Sequence, residues 1–130
     1  MFAFARVREL GVDVERLDER PASESIVARY FSAKEIAQWR SLSPETRTQG
    51  FFRFWACKEA YIKARGEGMG IALNSFSVIL KPQREPVLHA ADESRWKLLS
   101  LEPAPGFAGA IVGEGHEWRH LCDWDQEPLT

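Results

Sequence analysis

The fold is decided by the stretch Phe51-Phe-Arg-Phe-Trp-Ala-Cys-Lys-Glu-Ala-Tyr-Ile-Lys-Ala-Arg65, which contains no glycine or proline. Phe51, Trp55 and Ile62 recur at helical spacing, which predicts a largely buried helix. Glu59 and Lys63 lie four residues apart, so their side chains leave that helix on one face, about one turn apart. Charges on so apolar a helix need partners or a task, because an unpaired buried charge is expensive. An ordinary Glu–Lys pair at the solvent edge of the helix is the alternative.

Length and composition indicate a single domain over residues 1–130. Hydrophobic residues make up 45% and charged residues 28% of the chain, proportions typical of a soluble globular protein. The net charge of -2 gives no electrostatic reason to expect nucleic acid or a membrane surface as the main partner. Residues 1–6 contain no basic segment leading into an apolar run, so we expect no secretory signal. Cys57 and Cys122 make no disulfide framework, and we expect a cytoplasmic protein with Cys57 buried.

Upstream of the helix, acidic residues alternate with valines in Val12-Asp13-Val14-Glu15. This period of two predicts a strand with the valines on one face and Asp13 and Glu15 on the other. We expect it to belong to a hairpin or a long bent strand over residues 2–15. Adjacent carboxylates repel each other unless a cation or a donor lies between them. The alternative is an acidic strand edge that faces solvent, where the repulsion is harmless.

Further helices are predicted on both sides of residue 40. Three serines are expected near helix starts: Ser23, Ser32 and Ser43. Each is followed by residues that have apolar helical periodicity or that favour a helix. Glu35 completes a capping box with the second of them. Gly50 interrupts the beginning of the central helix, which we expect to be regular from about Phe51.

The central helix is predicted to end in Gly66-Glu-Gly-Met-Gly70, either as a loop whose amides admit an anionic ligand or as a simple C-cap and turn. Short strand-like runs separated by proline or glycine then follow: residues 76–80, 96–101, 107–112 and 118–124. Helices in the first half and strands in the second predict an α+β fold, with helices packed on a mostly antiparallel sheet.

Asp13, Glu15 and Glu59 are hard oxygen donors that meet if the central helix packs on the strand. An oxygen-only set with few protein groups suits Mg²⁺, which keeps waters and completes its shell with ligand phosphates. The scattered histidines and distant cysteines make a zinc site improbable. Lys63, one turn from Glu59, suits a phosphate clamp or a proton donor to a leaving phosphate. A metal-dependent nuclease is disfavoured, because no basic groove is apparent.

The paired motifs resemble those of a known family. Gly11-Val-Asp-Val-Glu15 and Phe54-Trp-Ala-Cys-Lys-Glu-Ala-Tyr-Ile-Lys63, continued by Gly66-Glu-Gly68 and Leu73-Asn-Ser-Phe-Ser77, are similar to the 4'-phosphopantetheinyl transferases. The likeness is to the C-terminal half of the group that activates peptide and polyketide synthases. It implies that Asp13, Glu15 and Glu59 hold Mg²⁺ on the coenzyme A diphosphate and that Lys63 contacts the phosphate near the breaking bond. It also implies that Lys58 sits beside the site as a further coenzyme-binding residue.

The reaction implied is transfer of the phosphopantetheine arm from coenzyme A to a serine of an apo acyl or peptidyl carrier protein, which releases 3',5'-ADP. Glu59 and Lys63 are the catalytic residues in this interpretation. The first half of the larger proteins, which supplies basic residues for the 3'-phosphate, has no counterpart here. We therefore expect a homo-oligomer, a dimer or a trimer, or association with a missing N-terminal half. The alternative is an impaired half-domain that only binds metal, coenzyme A or a carrier protein.

Overall fold

The fold is built around a long helix that packs across one face of a three-stranded sheet. The computed structural model describes residues 9–18, 24–66 and 70–118. The helices are α1 (Glu24–Tyr30), α2 (Ala33–Arg40) and α3 (Arg47–Arg65). The strands are β1 (Leu10–Arg16), β2 (Ser77–Ile79), β3 (Val87–His89), β4 (Trp96–Leu101) and β5 (Phe107–Glu114). Single 3₁₀ turns lie at Pro44–Thr46, Leu73–Ser75 and Glu93–Arg95.

The larger sheet has the strand order β1-β5-β4, and β2 and β3 form a separate two-stranded ribbon. All of these pairings are antiparallel, which confirms the predicted α+β class. In the larger sheet Asp13 lies opposite Ala110, which in turn lies opposite Ser100. Residues in such a row share one face of the sheet. The row that contains Asp13 is therefore small and polar, which leaves room for α3 above it.

Gly11 lets β1 approach α3 closely. A Cβ atom at this position would overlap the carbonyl oxygen of Ala60 and the backbone nitrogen of Ala64. Both alanines are completely buried. Strand and helix thus meet backbone to backbone, and the next residues on this face of β1 are brought beside the same side of α3.

The predicted helix boundaries are confirmed where local chemistry sets them. Ser32 Oγ accepts from the backbone N–H of Glu35 at 3.3 Å, and Glu35 Oε1 accepts from the backbone N–H of Ser32 at 2.9 Å, which is the predicted capping box. Gly66 ends α3 with φ 67°, the left-handed conformation of a glycine C-cap. The start of α3 differs from the prediction, because Gly50 is an integral part of the helix: a Cβ there would overlap the Leu42 side chain.

The strands follow the predictions in part. β4 has the predicted bounds, β5 continues beyond residue 112 to Glu114, and the run over 76–80 forms only Ser77–Ile79. β3 was not predicted, since three residues are too few to show a period. Trp118 is not in a strand, and the rest of its predicted run, like residues 2–8 and Ser23, lies outside the described residues.

The core lies between α3 and the sheet and is rich in aromatic rings. Phe31 stacks on Phe51 with centroids 5.5 Å apart, and Phe54 is completely buried beside them. Cys57 is also buried, as predicted, and burial raises the pKa of its thiol to about 12, so it is unreactive. Within residues 9–18, 24–66 and 70–118, no helix is long and apolar enough to cross a membrane.

Candidate functional site

The acidic face of β1 points at α3. Asp13 is only 7% exposed, and Glu15, two residues along the same face, is half-buried. The solvent-facing strand edge considered above is therefore wrong for Asp13. The valines of β1 occupy the other face, as the alternation predicted.

Lys63 joins the helix to this strand. Its ammonium lies 2.7 Å from Asp13 Oδ1 and donates to the carbonyl oxygen of Val12 at 3.3 Å. About half of the Lys63 side chain stays exposed. Lys63 thus bonds across to β1, so the simple helical pair with Glu59 does not describe its role.

The two oxygens of Asp13 differ at this contact. Within the described part of the chain, Asp13 Oδ2 is buried and accepts no hydrogen bond, whereas Oδ1 is bonded to Lys63. A buried polar atom left unsatisfied costs free energy, and such atoms in native proteins often mark an ion or a water site. The orphaned oxygen is therefore available to a cation.

Glu15 and Glu59 bring two further carboxylates into the region of Asp13, and the three are called the carboxylate cluster below. Burial, and after it the contact with Asp13 and the charges of Asp13 and Glu59, raise the pKa of Glu15 to about 7. Burial, and after it the charge of Asp13, also raise the pKa of Glu59, while Lys63 lowers it. The charge of Asp13 thus reaches both glutamates, which places the three side chains in one region of the molecule. Their joint role as metal ligands stays a prediction.

The donor set fits a hard divalent cation. All candidate ligand atoms are carboxylate oxygens, and one of them is buried and unbonded. Among the described residues, no group of three or more His, Cys, Asp or Glu side chains is placed so that it could hold a metal ion by itself. The ammonium of Lys63 lies against Asp13 instead. Mg²⁺ needs only a few protein oxygens because it keeps waters and takes phosphate ligands, so this open arrangement suits it better than it suits Ca²⁺.

Lys58 lies elsewhere than expected. Its side chain is completely buried, and its ammonium lies 2.8 Å from Glu35 Oε1, which is buried to the same degree. It also donates to the carbonyl oxygen of Phe76 at 2.8 Å. This geometry gives no support to Lys58 as a coenzyme contact. Sequence reasoning missed Glu35 as its partner, since Glu35 already had a role in the capping box.

Sequence reasoning also missed a cavity of about 270 Å³ at the end of β1. Leu17, Gln49 and Arg53 form one wall, and the loop between β4 and β5 forms the other. Ala108, which also lines the cavity, is the register partner of Glu15. The cavity therefore lies towards the Glu15 end of β1, where no sequence motif had marked it, and its lining includes neither the three carboxylates nor Lys63.

The chain is similar to known proteins of one family. Residues 9–112 match the model of the 4'-phosphopantetheinyl transferase superfamily. The chain is 36% identical to the 4'-phosphopantetheinyl transferase HetI of Nostoc sp. over 112 residues, which are 86% of this chain and 46% of HetI. It is 30% identical to the 4'-phosphopantetheinyl transferase Sfp of Bacillus subtilis over 103 residues, 78% of this chain and 45% of Sfp. It thus spans about half the length of these curated relatives.

Solved structures share the fold. A holo-(acyl-carrier-protein) synthase from Bacillus anthracis, in complex with CoA (3',5'-ADP), superimposes with a TM-score of 0.71 at 24% identity. The match covers 82% of this chain and 94% of the synthase. The holo-[acyl-carrier-protein] synthase of Thermotoga maritima gives a TM-score of 0.66 at 22% identity over 82% of this chain and 62% of that one. The family match shows that the chain belongs to the 4'-phosphopantetheinyl transferase superfamily, and the β1–α3 motifs and the shared fold agree with it.

Proposed function

We propose that the chain forms the metal- and phosphate-binding part of an enzyme that moves the 4'-phosphopantetheine arm of coenzyme A onto a serine of an acyl or peptidyl carrier protein. One observation carries the proposal. The buried, unbonded Oδ2 of Asp13 lies in the seam between β1 and α3 where Glu15, Glu59 and Lys63 converge. The family match and the curated transferases support the reaction class.

Asp13, Glu15 and Glu59 would hold Mg²⁺ in this seam. When bound, the ion would neutralise charge that develops on the leaving phosphate as the bond between the two phosphates of coenzyme A breaks. The same carboxylates would otherwise repel a diphosphate, so the cation is required for substrate binding as well as for the reaction. The negative charge of this region therefore supports the proposal that a divalent cation binds here.

Lys63 supplies the mobile positive charge. Its ammonium is half-exposed and bonded to a single oxygen of Asp13 besides the backbone of Val12. An exposed lysine on a flexible stem exchanges partners readily. We propose that it turns from Asp13 to the phosphate beside the breaking bond, where it stabilises or protonates the leaving 3',5'-ADP.

A carboxylate accepts the proton of the carrier serine. Glu59 is the candidate, either directly or through a water molecule. Burial raises its pKa towards the working pH, which makes it a stronger base than an exposed glutamate when deprotonated. By direct or by water-mediated transfer of its proton, the serine oxygen becomes the nucleophile that attacks the phosphorus atom.

We propose that a second chain completes the site, through a homodimer or homotrimer or through a separate N-terminal half. The face of the sheet turned away from α3 is apolar, and Val12, Val14 and Leu99 on it are partly exposed. Such faces are usually covered. The chain spans about half of HetI, which favours a missing half, but nearly the whole of the Bacillus anthracis synthase, which favours copies of one chain. We place the protein in the cytoplasm, in keeping with the free thiol of Cys57.

The second candidate is a half-domain that binds metal, coenzyme A or a carrier protein without turnover. It is favoured by the short span of the chain relative to HetI and Sfp. In that case the carboxylate cluster still binds the cation, and only the contacts to the far end of coenzyme A are lacking.

Carrier labelling separates the two functions. An apo carrier protein is incubated with coenzyme A, Mg²⁺ and the chain at high concentration, and the carrier mass is followed, with Glu59→Gln as the matched control. The enzyme predicts a gain of one phosphopantetheine that disappears with Glu59→Gln or with a chelator. Coenzyme A binding with no mass gain above the control supports the binding-only domain. Absence of both labelling and Mg²⁺-dependent binding contradicts the proposal.

A further inference from the structure

The pair formed by Glu35 and Lys58, called the buried pair below, is fully bonded within the protein. The ammonium of Lys58 donates to Glu35 Oε2 at 3.0 Å and to the Phe76 carbonyl at 2.8 Å, and it forms an ion pair with Glu35 Oε1 at 2.8 Å. It also lies 4.0 Å from the centroid of the Phe76 ring. A lysine ammonium has three N–H donors, so its bonding capacity is met without solvent.

Glu35 is equally well satisfied, by groups from other elements. Oε1 accepts from the backbone N–H of Ser32 at 2.9 Å, and Oε2 accepts from the backbone N–H of Val78 at 2.6 Å. Both side chains are 0% exposed. The buried pair therefore ties α2, α3 and β2 to one point by directional bonds. Apolar residues would fill the same space without fixing direction.

The position of Lys58 on α3 gives this tie a consequence at the site. Lys58 immediately precedes Glu59, and successive residues project about 100° apart around a helix. Gly11 fixes how close α3 comes to β1, while the rotation of α3 about its axis depends on the side chains that pack around it. Among these contacts the buried pair is a directional one beside Glu59, so it constrains the direction in which Glu59 leaves the helix.

We infer that Glu35 and Lys58 are positioning residues: their buried pair sets the rotation of α3 so that Glu59 points at Asp13 across the β1–α3 seam. The inference rests on the proposed function, because it assigns the orientation of a residue proposed there as a metal ligand. Neither residue touches substrate or metal in this account. Their effect on the site passes through the backbone of α3.

The test uses Mn²⁺ as a probe, with binding followed by electron paramagnetic resonance and folding by thermal unfolding. Glu35→Gln/Lys58→Met removes both charges, keeps the side-chain lengths and leaves an amide oxygen for one of the two backbone N–H groups that Glu35 accepts from. Because neither charge is left unpaired, it is expected to unfold closer to wild type than either single variant does. Glu35→Asp, which keeps both charges but shortens the carboxylate arm, is the second variant. Glu59→Gln reports on the metal site itself.

The expected result is that the double variant regains stability but binds Mn²⁺ about tenfold more weakly than wild type or worse, the range seen when groups behind a metal ligand are changed. Glu35→Asp is expected to weaken binding as well. If both variants bind Mn²⁺ as wild type does while Glu59→Gln does not, the positioning role is overturned and the proposed function stands. If Glu59→Gln binds Mn²⁺ normally, the ligand set is wrong, and the positioning role falls with it. If the double variant does not fold, the Mn²⁺ affinity of Glu35→Asp alone tests the positioning role: weaker binding than wild type supports it, and equal binding overturns it.

Discussion

Helix α3 carries two lysine–carboxylate pairs of nearly equal length that differ in their surroundings. Lys58 and Glu35 are 2.8 Å apart and both completely buried, whereas Lys63 and Asp13 are 2.7 Å apart and the lysine is half-exposed. In the first pair the ammonium and both carboxylate oxygens are bonded; in the second, Asp13 Oδ2 has no hydrogen-bond partner among the residues that the structure describes. The Lys58–Glu35 pair, closed to solvent, therefore holds the structure together. The Lys63–Asp13 pair, called the open pair below, keeps one oxygen and one ammonium free to change partners.

The largest difference is expected in stability. Lys58→Met leaves the carboxylate of Glu35 buried without its cation, which should lower the free energy of unfolding by about 3–5 kcal/mol. Lys63→Met, the matched variant five residues along the helix, should lower it by about 1 kcal/mol, because that pair is partly solvated. Urea unfolding of both variants measures the difference. Equal losses would show that burial does not separate the two pairs.

A smaller loss tests the seam under the open pair. Gly11→Ala introduces a methyl group where the backbone of α3 already lies, and we expect a loss of about 1–3 kcal/mol together with weaker Mg²⁺ binding. Gly109→Ala is the control on β5, where a Cβ would meet the carbonyl oxygen of Asp13 at 3.2 Å and needs only a slight shift. Thermal unfolding and calorimetric Mg²⁺ titration measure the two effects. A Gly11→Ala variant with wild-type stability and affinity would mean that strand and helix do not meet closely.

Lys63 and Mg²⁺ compete for Asp13 in this proposal, so removing the lysine should increase the affinity for Mg²⁺. Lys63→Met removes the ammonium bonded to Asp13 Oδ1, so Mg²⁺ no longer has to displace it and meets a more negative site. We expect Mg²⁺ alone to bind several-fold more tightly, on the order of 1 kcal/mol, while carrier labelling is lost. Lys63→Arg, which keeps the charge, should not show the tighter binding. Weaker Mg²⁺ binding by Lys63→Met would contradict a competing role for this lysine.

The smallest expected effect is one of pH. The pKa of Glu15 is raised to about 7 from an ordinary 4.5, so without metal the folded chain binds more protons than the unfolded chain between these values. Its stability should therefore fall as pH rises from 4.5 to 7, and saturating Mg²⁺ should flatten this dependence and release protons on binding. Calorimetry in two buffers of different ionisation enthalpy counts the protons released near pH 6.5, with Glu15→Gln as the control. Equal proton release by this variant and wild type would assign the titration to another group.

The parts of the molecule that could be predicted from the sequence depend on neighbours along the chain. The alternation that places Asp13 and Glu15 on one face, the capping box of Ser32 and the glycine cap at Gly66 all follow from local geometry. Glu59 and Lys63 were placed on one helical face for the same reason.

The partners of the two lysines could not be predicted in this way. Glu35 lies 23 residues from Lys58, and Asp13 lies 50 residues from Lys63, so both pairs depend on how α2, β1 and β2 pack on α3. The cavity beside Ala108 is likewise the product of a loop and a helix that are distant in sequence. Lys58 was expected beside the site because the family resemblance implied it, whereas its burial gives it Glu35 as a structural partner.

The most direct measurement for the whole account is calorimetric titration of Mg²⁺ into the chain and into Asp13→Asn, with coenzyme A present at a fixed concentration. Asparagine keeps the shape of the side chain and removes the charge next to the unbonded oxygen. The account predicts one Mg²⁺ per wild-type chain and an affinity at least about tenfold lower for Asp13→Asn at unchanged fold. Equal affinity in the two proteins would contradict it, because the cation would then bind away from the β1–α3 seam.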